Sequence, residues 1–163
     1  MNAGTRDQGL PLTHPAALIA RWFGVGLLPN APGTWGSVAA LPCAWAIAYF
    51  IAKPALIIAV VALFFVGWWA AERMAAASGI ADDSTIVVDE VVGQWLVLSA
   101  APLNPAAYVL GFTLFRVFDI WKPWPVSWAE GLPGGLGVMA DDALAGLYAL
   151  IVLVPVLRVV GAL

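Results

Sequence analysis

The chain has 163 residues, of which 63% are hydrophobic and 10% charged, against roughly 45–50% and about 25% in soluble domains. This excludes a water-soluble fold, and because hydrocarbon forces every backbone N–H and C=O to be satisfied within its own segment, the long apolar runs predict an all-α, polytopic membrane bundle. The net charge of −3 and seven scattered basic residues give no basic stripe for nucleic acid, and the single cysteine, Cys43, excludes an intrachain disulfide or a cysteine metal cluster.

No internal repeat, charge block or linker divides the chain, so one domain over 1–163 is expected. Residues 1–13 are polar. Over 14–23, Leu18, Ile19, Trp22 and Phe23 fall at helical spacing with Arg21 on another face, predicting a short N-terminal interfacial helix that begins near His14. Arg21 interrupts the apolar stretch and no small-residue cleavage site follows, so no cleaved signal peptide is expected. Residues 24–34 carry Pro29, Pro32 and three glycines and read as an irregular loop. A first span is predicted over 37–52, a tight turn at Lys53-Pro54, and a second span over 55–77 whose polar end carries Glu72 and Arg73. Residues 78–89, with Gly79, Asp82, Asp83 and Ser84, read as a solvent-side loop.

The third apolar region is broken. Residues 91–101 make only about 16 Å of helix before Pro102, Asn104 and Pro105, and the pattern resumes over 106–121. As one kinked span, Asp89-Glu90 and Arg116/Asp119 would face opposite compartments. As a re-entrant helical hairpin, they share one face. The hairpin leaves Arg6, Arg21, Arg73, Arg116 and Lys122 inside with only Lys53 and Arg158 outside, so the distribution of basic residues favours it. A last span over 143–160 is expected to begin just after Asp141-Asp142.

At mid-bilayer a charged side chain costs at least about 2.5–3.5 kcal/mol, which places acidic residues at helix ends or beside a wet cavity. Asp89-Glu90 and Asp141-Asp142 are each expected to open a helix, where the dipole favours carboxylates. An aspartate at a helix start also serves as a plain N-cap. Four or five carboxylates brought together need a counter-cation, and hard oxygen ligands select Mg2+ or Mn2+ over zinc. Arg116 and Asp119 lie at i, i+3 on one helix face with Lys122 a turn further on, either as a functional group or as a snorkelling interfacial set among Trp121 and Trp124. The glycines of 131–137 let backbone N–H groups approach an anion or simply form a loop, and Thr34 and Ser37 offer hydroxyls at the start of the first span. His14 as the only histidine argues against a phosphohistidine intermediate. Cys43 lacks the arginine of a cysteine phosphatase loop, and no Asp-x-Asp motif is present. Metal-activated water remains, with Arg116 and Lys122 stabilising phosphoryl charge.

Four stretches, PGTWGS (32–37), VVDEVVGQW (87–95), FRVFDIWKPWPV (115–126) and GGLGVMADDALAG (134–146), resemble the bacterial phosphatidylglycerophosphatase A family in order and over most of the chain. The resemblance implies Mg2+-dependent removal of the terminal phosphate from phosphatidylglycerophosphate, giving phosphatidylglycerol, at the cytoplasmic face of the bacterial inner membrane. It implies Asp89, Glu90, Asp141 and Asp142 as metal ligands or as groups that hold the ligands, with Asp89 and Asp141 also catalytic and Asp119 a ligand or the general base. Arg116 and Lys122 would bind the phosphomonoester with Thr34, Ser37 or the amide of Gly135. The competing expectation is a non-catalytic membrane scaffold or small ion-conducting protein, with the break at 102–105 as a pore element. A head-group transferase lacks its ladder of aspartates here. The sequence assigns no oligomeric state.

Overall fold

The computed structural model describes residues 10–80 and 83–162. Among them are seven α-helices, a short 3₁₀ turn and no strand. Arg6 and Asp82 lie outside the described residues.

Helix α1 (Pro15–Ala20) starts on a proline, which needs no N–H partner at that position, and the His14 Nδ1 accepts from Ala16 N at 3.1 Å. Its alanines Ala16, Ala17 and Ala20 are wholly buried. The expected helix over 14–23 is therefore shorter, and Arg21 is not on a free face. It is 2% exposed, donating from Nε to Thr85 Oγ1 at 3.1 Å and from Nη1 to the Leu10 carbonyl at 3.2 Å. The Ala20 carbonyl also accepts from Val87 N at 2.8 Å. These bonds pin the segment before the acidic pair at 89–90.

Helix α2 (Pro32–Phe50) begins five residues earlier than the sequence predicts. Pro32 carries a helical φ and no donor to strand, so the Pro/Gly-rich stretch nucleates the helix instead of delaying it. Thr34 and Ser37 thus sit inside its first turns. Helix α3 (Ala55–Ser78) ends on Gly79 in the left-handed region. Helices α4 (Val88–Leu98) and α5 (Pro105–Trp121) are separated by the predicted break, and Asn104 caps α5 by accepting from Ala106 N at 2.8 Å. The two fold back on each other, with Gly93 beside Phe115 at one end and Gly111 beside Val97 and Leu98 at the other. The Lys53 ammonium, at the turn between α2 and α3, reaches the Ala100 carbonyl at 2.9 Å and satisfies an acceptor just beyond the end of α4.

A five-residue α6 (Val126–Glu130) leads to α7 (Gly134–Val159). Here the sequence expectation is corrected: α7 starts nine residues before Ala143, so Asp141 and Asp142 lie two turns inside a helix and do not open it. The glycines that read as a loop are the close contact between α7 and α3. A Cβ on Gly135 would stand 2.7 Å from Glu72 N and 2.8 Å from the Trp68 carbonyl oxygen, and small residues are what let two helix backbones meet. Helices α4 and α7 touch in the same manner. A Cβ on Gly146 would lie 2.6 Å from the Gly93 carbonyl oxygen, and one on Gly93 would lie 2.6 Å from that of Asp142.

Helices α3 and α7, of 24 and 26 residues, are long and apolar enough to cross a membrane. At 1.5 Å per residue they measure roughly 36 and 39 Å, against a hydrocarbon core of about 30 Å. Helix α2 is about 28 Å long by the same rise, but Gly33, Thr34, Gly36 and Ser37 make its first turns less apolar. The chain is a membrane protein, and its large exposed side chains, such as Phe50, Ile58, Phe65 and Ile151, have hydrocarbon to face.

Candidate functional site

Three helices bring acidic groups to one end of the bundle. Asp89 and Glu90 occupy the first turn of α4, where the helix dipole is positive. Asp142 comes from α7 at the level where the α4 and α7 backbones touch. Carboxylate oxygens of Asp89, Glu90 and Asp142 all lie within 4.8 Å of one another, and Asp89 and Asp142 are only 9% and 3% exposed. One oxygen on each, Asp89 Oδ1, Glu90 Oε2 and Asp142 Oδ2, is buried without a hydrogen-bond partner.

Asp141 has a different environment. Its Oδ2 accepts from the Lys122 ammonium at 2.8 Å and its Oδ1 from Asp142 N at 2.9 Å. Lys122 also donates to Glu130 Oε1 at 2.6 Å. Burial works against the lysine's charge, but the hydrogen bonds to Asp141 and Glu130 outweigh it and hold its pKa above the ordinary lysine value. Lys122 is the left-handed residue (φ 47°) that ends α5, a conformation costly for a side chain with a Cβ. Its ion pairs hold it there.

Arg116 and Asp119, one turn apart on α5, form the i, i+3 pair that the sequence predicts, at 2.6 Å. Arg116 Nη1 also donates to Ser37 Oγ at 3.3 Å, and Ser37 donates to the Gly33 carbonyl at 2.9 Å. Ser37 is fully buried. A Cβ on Gly33 would run into Glu90 Oε1 and stand 3.5 Å from Arg116 Nη1, so only glycine lets α2 come this close.

These groups surround a cavity of about 330 Å3 whose wall includes Asp89, Glu90, Asp119, Glu130, Asp141 and Asp142, with Arg116 and Lys122. Six carboxylates face two cations, and both cations are already paired outside the three-carboxylate cluster. At 4.8 Å and an effective dielectric of about 20, each like-charged pair repels by roughly 3 kcal/mol. A hard cation between Asp89, Glu90 and Asp142 would remove that repulsion and partner the three bare oxygens, and an all-oxygen donor set suits it.

A sequence model of the family described as Phosphatidylglycerophosphatase A matches residues 18–157. The chain belongs to the phosphatidylglycerophosphatase A family. Every residue of the cavity wall, from Pro32 to Asp142, falls inside the stretch that matches. An Escherichia coli K12 protein named phosphatidylglycerophosphatase A is 39% identical over 139 residues, 84% of this chain and 80% of that one. Its Haemophilus influenzae namesake is 39% identical over 145 residues, 88% and 89% of the two chains. A Bacteroides thetaiotaomicron protein, provisionally named a phosphatidylinositol-3-phosphatase, is 42% identical over 152 residues, 88% and 94%. No solved structure matches the chain.

In this phosphatidylglycerophosphatase A family member the predicted site residues divide into three groups. Asp89, Glu90, Asp119, Asp141, Asp142, Arg116 and Lys122 share the cavity. Ser37 touches it only through Arg116. Thr34 and Gly135 are not on the cavity wall, and the Gly135 N–H is taken by Glu72 Oε2 at 2.8 Å, so the expected anion-binding amide is already engaged. Glu130 and Gly33 were missed by sequence reasoning. Glu130 lies eight residues beyond Lys122 across a turn that no helical period spans, whereas Gly33, inside PGTWGS, carried a weak signal.

Proposed function

We propose that the chain hydrolyses the terminal phosphomonoester of phosphatidylglycerophosphate to phosphatidylglycerol and phosphate, with Mg2+ held by Asp89, Glu90 and Asp142. The observation that carries this is the set of three buried carboxylates with unpartnered oxygens, opening on the same cavity as Arg116 and Lys122 in a chain of this family. A divalent cation bound there would supply positive charge and Lewis acidity to the phosphoryl oxygens.

The remaining work belongs to side chains. Arg116, steadied by Ser37 and Asp119, offers guanidinium donors to the phosphomonoester. Lys122, held charged between Asp141 and Glu130, offers a second cation and stabilises charge on the equatorial oxygens. Asp119 takes the proton of the attacking water as its oxygen bonds to phosphorus. The ester P–O bond breaks, and the glycerol oxygen leaves with the proton that Asp119 has taken up, which returns Asp119 to its carboxylate form. Asp141 serves through Lys122, keeping the ammonium in the cavity.

In this reading α4 and α5 enter and leave the bilayer on one side as a re-entrant hairpin. Helix α4, roughly 16 Å long, is too short to cross alone, and the antiparallel pairing returns Arg116 to the level of Glu90. Helix α1 lies at the interface, and the cavity opens to the cytoplasm of a bacterial inner membrane, where the lipid is made.

The purified protein is expected to release phosphate from phosphatidylglycerophosphate with Mg2+ and to stop with EDTA. Phosphate release that EDTA does not touch would overturn the metal assignment, and ion flux in liposomes without any phosphate release would favour the ion-conducting alternative. The Bacteroides relative's name makes phosphatidylinositol 3-phosphate the natural competing substrate in that assay.

A further inference from the structure

A second hollow of about 740 Å3 lies along the outer side of α3, walled by Phe65, Trp68, Trp69, Glu72, Arg73 and Leu136. It adjoins the acidic cavity, because Gly134 lines both. Its chemistry is graded. Phe65 and the two tryptophans lie toward the middle of α3, and Arg73 stands eight residues past Phe65, about 12 Å nearer the helix end at 1.5 Å per residue. Arg73 is exposed, and among the described residues it makes no ion pair or side-chain hydrogen bond. Its neighbour Glu72 directs a carboxylate oxygen to the Gly135 N–H, turning that charge toward the first turn of α7. Apolar depth with a free cation at its mouth fits one kind of molecule: a glycerophospholipid chain below its phosphate.

We propose that this groove holds an acyl chain of the lipid substrate and that Arg73 pairs with the internal phosphodiester while the terminal phosphomonoester occupies the acidic cavity. The assignment rests on the phosphatase reading above and deepens it. A substrate with two phosphates needs two places for them, and the cavity's own cations, Arg116 and Lys122, belong to the reacting one. An arginine fork recognises a phosphodiester oxygen pair through two parallel hydrogen bonds, and this contact is unchanged between substrate and transition state. Its loss therefore raises KM and leaves kcat alone. Arg73 is a specificity residue in this account, selecting a lipid phosphomonoester that carries a diester below it over one that does not.

The experiment compares native protein with Arg73→Gln in mixed micelles, using phosphatidylglycerophosphate and phosphatidic acid, which has the acyl chains and a phosphomonoester but no diester. The expected result is a KM about tenfold higher for phosphatidylglycerophosphate, a kcat within twofold of native, and an unchanged KM for phosphatidic acid. An unchanged KM for phosphatidylglycerophosphate, or an equal rise for both lipids, would overturn it, the second marking Arg73 as a general membrane contact. Phe65→Ser is expected to raise KM for both lipids severalfold and to leave hydrolysis of glycerol 3-phosphate unaltered. Equal effects on the soluble ester would remove the groove from the account. A second readout separates this inference from the phosphatase reading. Binding of phosphatidylglycerol, which keeps the diester and lacks the reacting phosphate, should weaken about tenfold in Arg73→Gln even if no phosphate is released by either protein, and equal binding by the two would sink the inference.

Discussion

Asp141 and Asp142 are neighbours in the chain with different partners, and the difference predicts different phenotypes. Asp142 contributes an unpartnered oxygen to the carboxylate cluster, whereas both oxygens of Asp141 are engaged, one by Lys122. Asp142→Asn is expected to lower phosphate release by on the order of 10²–10³-fold, the scale of losing one electrostatic element of a reacting site. Asp141→Asn keeps an acceptor for Lys122 and should cost less, about tenfold, mostly in KM. Equal losses, measured as initial rates at saturating Mg2+, would merge the two roles. Ser37→Ala removes a hydroxyl between the Gly33 carbonyl and Arg116, and a drop of about tenfold with little change in stability is expected for a contact that only orients the guanidinium. The acidic pairs and the Arg116/Asp119 pair were legible in the sequence because local spacing reports them. Which carboxylate faces which cation was not, since Lys122 and Asp141 belong to different helices and meet only through the turn that α6 makes.

At the level of elements, the site depends on how closely α4 approaches α7. Gly93 and Gly146 face each other with no room for a methyl group, and Gly93 also abuts Phe115. Gly93→Ala or Gly146→Ala should cost roughly 1–3 kcal/mol, the usual range for overpacking, and should also depress activity more than an equally destabilising change elsewhere, because the approach that brings Asp142 to Asp89 is lost. Thermal unfolding in detergent alongside phosphate release would test this, and full activity in a destabilised variant would refute it. The sequence conveyed the broken third segment, through Pro102, Asn104 and Pro105. It misled at two helix starts. Pro32 and the glycines of 134–137 carry turn chemistry in isolation, but proline at N1 and glycine at a helix crossing obey contact geometry that a single chain cannot display.

Over the whole molecule, topology and metal linkage make separate predictions. In a Cys43-free background, cysteines placed at the exposed positions Ser84 and Trp124 flank the α4–α5 pair, and both should label from the same, cytoplasmic side; labelling from opposite sides would mean that 88–121 crosses once. The second prediction follows from placing so few charges in so apolar a chain. With six carboxylates and two cations around the cavity, gathering Asp89, Glu90 and Asp142 costs the metal-free protein stability, and a cation that binds only the folded state stabilises it by about 2.7 kcal/mol at a hundredfold excess over its dissociation constant. For a chain of this length that corresponds to a melting temperature roughly 5–10 °C higher with Mg2+ than with EDTA. Asp142→Asn removes one negative charge and one ligand together, so its metal-free form should melt at or above the native temperature and gain little from Mg2+. A native protein indifferent to Mg2+, or a variant that gains as much as the native, would detach the three carboxylates from any metal.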